Sequence, residues 1–178
     1  MLKGNDLNLR VVEKDDLPAF AEWVNDPEFA GEFQPLLQIS RTELEKQYDK
    51  LAPQDEWFFI EKKDGSKIGF VRACHLAVFG KPFEIGFTLI PSARGKGYGT
   101  EAVQIIVDYL FLSKDIVRIQ AHTIPRNLAS QRTLEKAGFR KEGVARKLIF
   151  IRGEWQDALF YGILREEWKE PKVLTRTT

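Results

Sequence analysis

Residues 91–102 read PSARGKGYGTEA, and within them Arg94, Gly97 and Gly99 form the pattern Arg-x-x-Gly-x-Gly between an apolar run and an apolar helical stripe. A loop at a strand-to-helix junction suits an anion, because the first N–H groups of a helix lack internal partners and the helix dipole is positive there. Gly95, Gly97 and Gly99 carry no Cβ, so the loop can take left-handed dihedrals and bring its amides against an oxyanion, while Arg94 and Lys96 add charge. A tight solvated turn is the alternative reading of the same composition. Neither common nucleotide fingerprint fits. A P-loop needs Gly-x-x-x-x-Gly-Lys followed by Ser or Thr, and a dinucleotide loop needs Gly-x-Gly-x-x-Gly, whereas these glycines are spaced Gly-x-Gly-x-Gly.

The elements that must position this loop follow from periodicity and punctuation. LNLRVV (7–12) reads as a strand. Asp15 and Asp16 open a helix with Pro18 in its first turn, and it stops near Asn25 because Asp26 precedes Pro27. SRTE (40–43) has the form of a capping box for a short helix through about Leu51. WFFIEKKDGSKIGFVRA (57–73) is two apolar runs around Asp64-Gly65, a hairpin signal. FEIGFTLI (83–90) alternates as a strand and ends at Pro91. From Thr100 to about Leu112, residues Ala102, Ile105, Ile106, Tyr109 and Leu110 form a helical stripe. IVRIQAHTI (116–124) is a further strand. NLASQRTLEKAGF (127–139) is a helix between an N-cap Asn127 and the Gly138-Phe139 end. KLIFIRGEWQDALFYGIL (147–164) is a last hairpin around Arg152-Gly153-Glu154. This order predicts a mixed α/β single domain.

Composition narrows the partners. With 178 residues and 43% hydrophobic content, the chain fits one core. Lys plus Arg at 27 against Asp plus Glu at 26 gives a net charge of +1, so no global field recruits nucleic acid or an anionic membrane. Cys74 stands alone and MLKGNDLNLR has no apolar export region, which points to a reducing cytoplasm. The polar, proline-broken tail EPKVLTRTT (170–178) is expected to fray.

Four blocks, LNLRVVEKDDLPAFAEWVNDPE, EIGFTLIPSARGKGYGTEAVQIIVDYLF, RIQAHTIPRNLASQRTLEKAGFRKEG and GEWQDALFYGILREEW, together make the chain resemble the GNAT family of N-acetyltransferases. Within that family it is similar to the branch of ribosomal-protein alanine acetyltransferases and spermidine acetyltransferases. The resemblance covers nearly the whole chain. It implies an α/β GNAT domain over 1–170, ahead of a polar tail at 171–178, with a mixed, mostly antiparallel central sheet flanked by helices and a splayed strand pair forming the cleft for acetyl-CoA. It also implies that the pyrophosphate lies on the amides of Gly95, Lys96, Gly97, Tyr98, Gly99 and Thr100, with Arg94 alongside. The pantetheine would then run beside Phe87, Thr88 and Leu89, with Asn127 contributing its side chain. Gly86 in that strand marks an expected bulge or close backbone approach.

Acetyl transfer to an amine needs a base, a donor for the developing oxyanion and a proton for the departing thiolate. A strand amide near Phe87 to Leu89 can serve the oxyanion. Glu84, on the strand face opposite Phe83, Ile85, Phe87 and Leu89, matches an acidic residue common in the branch; it reads equally well as a solvated or ion-paired carboxylate. His122 corresponds to a catalytic glutamate of some relatives and is of a type that titrates near neutrality, but a structural or substrate-contacting role fits as well. Many family members place a tyrosine seven residues after the asparagine, where this chain has Leu134. A serine of the ribosomal-protein branch takes that duty, and Ser130 matches it; an ordinary first-turn polar residue is the plainer reading. Trp23, Phe29, Phe33, Trp155 and Asp157 either line an acceptor cleft or belong to the core. The implied function is an acetyl-CoA-dependent N-acetyltransferase acting on a primary amine such as a protein N-terminal alanine or serine. A polyamine or aminoglycoside acetyltransferase and a non-catalytic acyl-CoA sensor are the alternatives, and an edge strand near the last hairpin is a candidate surface for a homodimer.

Overall fold

Asp64 and Gly65 turn the chain as their sequence predicts: Gly65 takes a φ of +84° and its N–H donates to the Lys62 carbonyl at 2.9 Å. The computed structural model describes residues 1–76 and 82–174. In chain order the elements are β1 (Leu2–Lys3), β2 (Leu7–Val11), α1 (Leu17–Asn25), α2 (Pro27–Ala30), α3 (Arg41–Asp49), β3 (Glu56–Lys62), β4 (Lys67–His75), β5 (Phe83–Leu89), α4 (Tyr98–Ser113), β6 (Arg118–Thr123), α5 (Leu128–Ala137), β7 (Arg140–Ile151) and β8 (Glu154–Leu164). The strands form one sheet in the order β1-β2-β3-β4-β5-β6-β8-β7. Neighbours pair antiparallel except β5 and β6, which run parallel. A parallel neighbour demands a crossover, and α4 supplies it.

Each sheet face has its own core. On one, Ala102, Ile105, Ile106 and Leu110 of α4 and Leu134 of α5 are fully buried against the strands. Burying each of the larger ones stabilises the fold by roughly 1.5–3 kcal/mol. Tyr109, expected in the same stripe, is half-buried and donates its hydroxyl to Glu56 at 2.9 Å. On the other face, Leu17 and Phe20 of α1 and Leu44 of α3 close over Phe59. Trp23 stacks on Phe29 at 5.2 Å and Phe29 on Phe70 at 5.9 Å, so these two early aromatics are core. Trp155 is 55% exposed and packs on Phe150.

Boundaries depart from the sequence reading where side chains carry no pattern. Helix α4 starts at Tyr98 rather than Thr100, because Gly97 at φ +86° is its N-cap. Strand β7 starts at Arg140 rather than 147: RKEGVAR is mostly exposed, and an outermost strand pairs through its backbone without apolar alternation. Its register slips between Ala145 and Ile149, where Lys147 at φ +51° has its N–H held by the Asp157 carboxylate at 2.9 Å. The short elements β1 and α2 carry no sequence signal strong enough to announce them.

The expected fraying does not begin at residue 170. Asp108, 1% exposed on α4, accepts from Trp168 Nε1 at 2.9 Å and from the backbone N–H groups of Lys172, Val173 and Leu174 at 3.1, 2.7 and 3.0 Å. Residues 175–178 of the predicted tail lie outside the described residues. Asp108→Ala removes the acceptor of all four bonds, and since the strap can re-solvate, the expected loss is about 2–3 kcal/mol. Urea denaturation measures the loss, and faster amide exchange confined to residues 172–174 and α4 assigns it to the strap.

Candidate active site

Strand β5 pairs with β4 in unbroken register from Phe83↔His75 to Leu89↔Gly69. Against β6 it pairs only at Phe83↔Ile119 and Glu84↔Gln120, after which the two part. Leu76 N–H donates to Pro82 O and Ile90 N–H to Ile68 O, both at 2.9 Å, which fixes the phase of the ladder. Backbone polar groups of alternate residues point to alternate sides, so the even-numbered residues from 82 to 90 turn toward β4. The N–H and C=O of Phe87 and the N–H of Leu89 therefore face the gap. Thr88 is a correction to the expected trio, since its backbone belongs to the β4 ladder. No bulge occurs at Gly86 either. The close approach there comes from a side chain: a Cβ on Gly86 would lie 3.0 Å from Arg72 Nε.

The glycine loop leads from the end of β5 into α4. Gly95 and Gly97 take φ values of +73° and +86°, and a Cβ at either would meet nothing within 4 Å. Among the described residues, the N–H groups of Gly95, Lys96, Gly97, Tyr98 and Gly99 make no hydrogen bond, whereas those of Thr100 and Glu101 both donate to Gly97 O at 3.0 and 3.2 Å. Thr100 thus drops out of the expected cradle. Arg94 departs further from expectation: its Nε donates to Leu89 O at 3.0 Å and its Nη2 to Phe29 O at 2.7 Å. It ties the loop to α2. Gly99 is the meeting point, since a Cβ there would stand 3.7 Å from side-chain atoms of Leu89, Phe87 and, across on α5, Thr133. An open strand edge, a cluster of unsatisfied amides and the middle of α5 converge at this spot. Such a cradle fits a pyrophosphate followed by an extended chain carrying amides, which is the form of acetyl-CoA.

The remaining candidates divide between the two sides of the gap. Glu84 and His122 are brought together, with Nδ1 of His122 3.4 Å from Oε2 of Glu84, and Gln120 Nε2 donates to the same oxygen at 3.2 Å. The hydrogen bond to His122 outweighs partial burial and holds the Glu84 carboxyl below its usual range, with Gln120 and Arg72 adding to the effect. A carboxyl held low stays ionised and is a weak proton acceptor. Glu84 is therefore suited to orienting the imidazole and balancing its charge. Gln120 and Arg72 were missed by sequence reasoning; the alternation Arg118, Gln120, His122 was the available signal, because it places all three on one strand face.

On α5, Asn127 is the N-cap: its Oδ1 accepts from Ser130 N–H at 3.0 Å. Ser130 is half-buried in the first turn. Leu134 is fully buried, so the position of the family tyrosine is filled with core. Tyr161 lies beneath the same helix and donates to Glu135 at 3.2 Å. Burial, with Glu135 adding to it, raises the pKa of its hydroxyl, and it is not placed to substitute.

Comparison with known proteins agrees with this geometry. The acetyltransferase (GNAT) domain family matches residues 6–140. Probable N-acetyltransferase YjcK of Bacillus subtilis is 49% identical over 83 residues, 47% of this chain and 46% of that protein. The chain thus spans about half the length of such curated relatives. Spermidine N(1)-acetyltransferase of Escherichia coli is 24% identical over 169 residues, 94% of this chain and 91% of that protein. The crystal structure of a GNAT-family acetyltransferase from Bacillus anthracis is 28% identical, covers 93% of this chain and 98% of its own, and superposes with a TM-score of 0.77. Because the family match takes in the glycine loop and both parting strands, the chain belongs to the GNAT acetyltransferase family.

Proposed function

We propose that this protein is an acetyl-CoA-dependent N-acetyltransferase acting on a primary amine, with protein N-terminal alanine or serine among its acceptors. The observation that carries this reading is the convergence at Gly99 of the unpaired β5 edge, the free loop amides and α5. Acetyl-CoA, the donor of the GNAT family, supplies its acetyl group as a thioester, so an amide C–N bond forms as the C–S bond breaks and a thiol leaves.

The N–H groups of Gly95 to Gly99 and the Lys96 side chain would hold the pyrophosphate. The Leu89 N–H, the Phe87 carbonyl and the side-chain NH₂ of Asn127 would take the pantetheine amides. Phe87 N–H, which faces the gap nearer its root where Glu84 and His122 lie, is the candidate donor to the carbonyl oxygen, which gains negative charge in the transition state. His122 would accept the proton from the acceptor ammonium, with Glu84 fixing the ring through Nδ1 and compensating the imidazolium that results. Ser130, set in place by the Asn127 cap, would donate its hydroxyl to the departing thiolate. A non-catalytic acyl-CoA sensor is the competing reading, favoured by Leu134 in place of tyrosine.

The experiment that separates them is thiol release from acetyl-CoA across free-N-terminal peptides, polyamines, aminoglycosides and amino acids, with mass spectrometry of the product. Turnover supports the enzyme, whereas silence with acetyl-CoA still bound by calorimetry supports the sensor. Two variant results are expected. Gly97→Val should lose micromolar acetyl-CoA binding, and φ +86° makes it cost about 1–2 kcal/mol of stability besides. His122→Ala should lower kcat by about 10²–10⁴-fold with little change in donor affinity.

Glu84→Gln tests the pair by rate and by acid stability. Losing the carboxylate that holds the imidazole should lower kcat more than donor affinity. The carboxyl of Glu84 is depressed in the folded state, so its stabilisation is present above the unfolded carboxylate range, near 4.5, and is lost as pH falls below that. The variant should therefore show a shallower loss of stability in acid. A Glu84→Gln variant with unchanged kcat would remove Glu84 from the mechanism.

A further inference from the structure

Arg72 is exposed on β4, opposite Gly86 on β5. Its side chain lies across that glycine: a Cβ there would fall 3.0 Å from Nε, 3.5 Å from Cγ and 3.8 Å from Cδ. The guanidinium is thus carried over β5 toward the strand edge that parts from β6. Phe70, Arg72 and Cys74 face Thr88, Gly86 and Glu84 across the β4–β5 pair, so Arg72 shares the sheet face that holds Glu84, Gln120 and His122. Among the described residues no carboxylate pairs with it within 4 Å; its charge helps keep Glu84 ionised from farther away, while Glu84 itself is engaged by His122 and Gln120. An exposed arginine on a flat surface would be solvated and mean little. This one is laid over a glycine that leaves it room, beside the imidazole assigned to the acceptor amine, where its planar fork of donors matches a carboxylate.

We infer that Arg72 is a specificity-determining residue and that the acceptor is a primary amine bearing its own carboxylate, bound by the Arg72 guanidinium while His122 takes the ammonium proton. This inference rests on the acetyltransferase reading and names the acceptor class. The carboxylate can come from a free amino acid or from an acidic side chain near a peptide N-terminus, and both present the same pairing of amine and anion. Polyamines, which bring a second cation toward Arg72, are the class this groove disfavours.

Steady-state thiol release with matched acceptors tests it. Glycine against glycinamide probes the free amino acid, Asp-Ala-amide against Asn-Ala-amide probes the peptide, and spermidine is the polycation. The carboxylate member of at least one pair should show kcat/KM higher by about tenfold or more, chiefly through KM. Arg72→Gln should erase that advantage while leaving the uncharged partner within about twofold, and Arg72→Glu should turn the preference toward spermidine. Gly86→Ala, which crowds the guanidinium off its place, should reproduce part of the Arg72→Gln loss. Equal use of both members of each pair, or a preference that survives Arg72→Gln, overturns the inference while the enzyme reading stands. If no amine is acetylated, calorimetric titration of the same pairs into the CoA-bound protein decides: discrimination lost in Arg72→Gln keeps the contact and sinks the enzyme reading, and no discrimination sinks the contact.

Discussion

The parting of β5 from β6 after two residue pairs is the constraint on which the site depends. A strand inside a sheet has its backbone polar groups satisfied on both sides, and only where a neighbour leaves do donors and acceptors become available without unfolding anything. Because β5 and β6 are parallel, the connection between them must cross the sheet, and α4 does so with its apolar face on the core. The N-terminus of that helix then has to lie at the end of β5, beside the same open edge. One topological fact thus places a row of strand amides next to a positive helix end, and the glycines at 95 and 97 leave open space over the turn between them. Ligand sites in open α/β sheets arise at strand ends for the same reason.

The chemistry on the opposite face follows from strand alternation. Side chains two apart share a face, so Glu84 on β5 and Gln120 and His122 on β6 meet where the strands still touch, at the root of the gap. Pairing distinguishes the two side chains. Glu84 is stabilised as an anion by the neighbours that hold it, which makes it a poor base and a good anchor for an imidazole. His122, 36% exposed in its side chain, keeps access to solvent.

Patterns that depend on side chains were legible in the sequence. The Asp64-Gly65 hairpin, the stripe of α4, the Asn127 cap and the Glu84 face all follow from spacing, and the structure has each of them. Residues acting through the backbone were not legible. Strand β7 pairs over RKEGVAR with no apolar alternation. Whether Thr88 or Phe87 offers its amide depends on ladder phase, which the sequence does not encode. The strap at 172–174 depends on one buried carboxylate sixty-odd residues away in the chain, and Arg94 on carbonyls of α2. Sequence suggested a use for that arginine's charge, and only distance reveals the carbonyls it bonds.

That bonding joins the two halves of the site. Arg94 bonds Leu89 O with Nε and Phe29 O with Nη2, so one guanidinium spans the end of β5 and the end of α2. Gly31, at φ +64°, completes the contact: a Cβ there would stand 3.2 Å from Arg94 Nη1. From the other side, Arg152 at the tip of the β7–β8 hairpin donates to Gly31 O at 2.8 Å. The short α2 segment is thereby held between the glycine loop and the hairpin tip by its own carbonyls, which the four-residue helix leaves without internal partners. Motion of the loop and motion of α2 cannot be independent while these bonds persist. The same short segment is anchored to the sheet beneath it, because Phe29 of α2 is buried and stacks on Phe70 of β4.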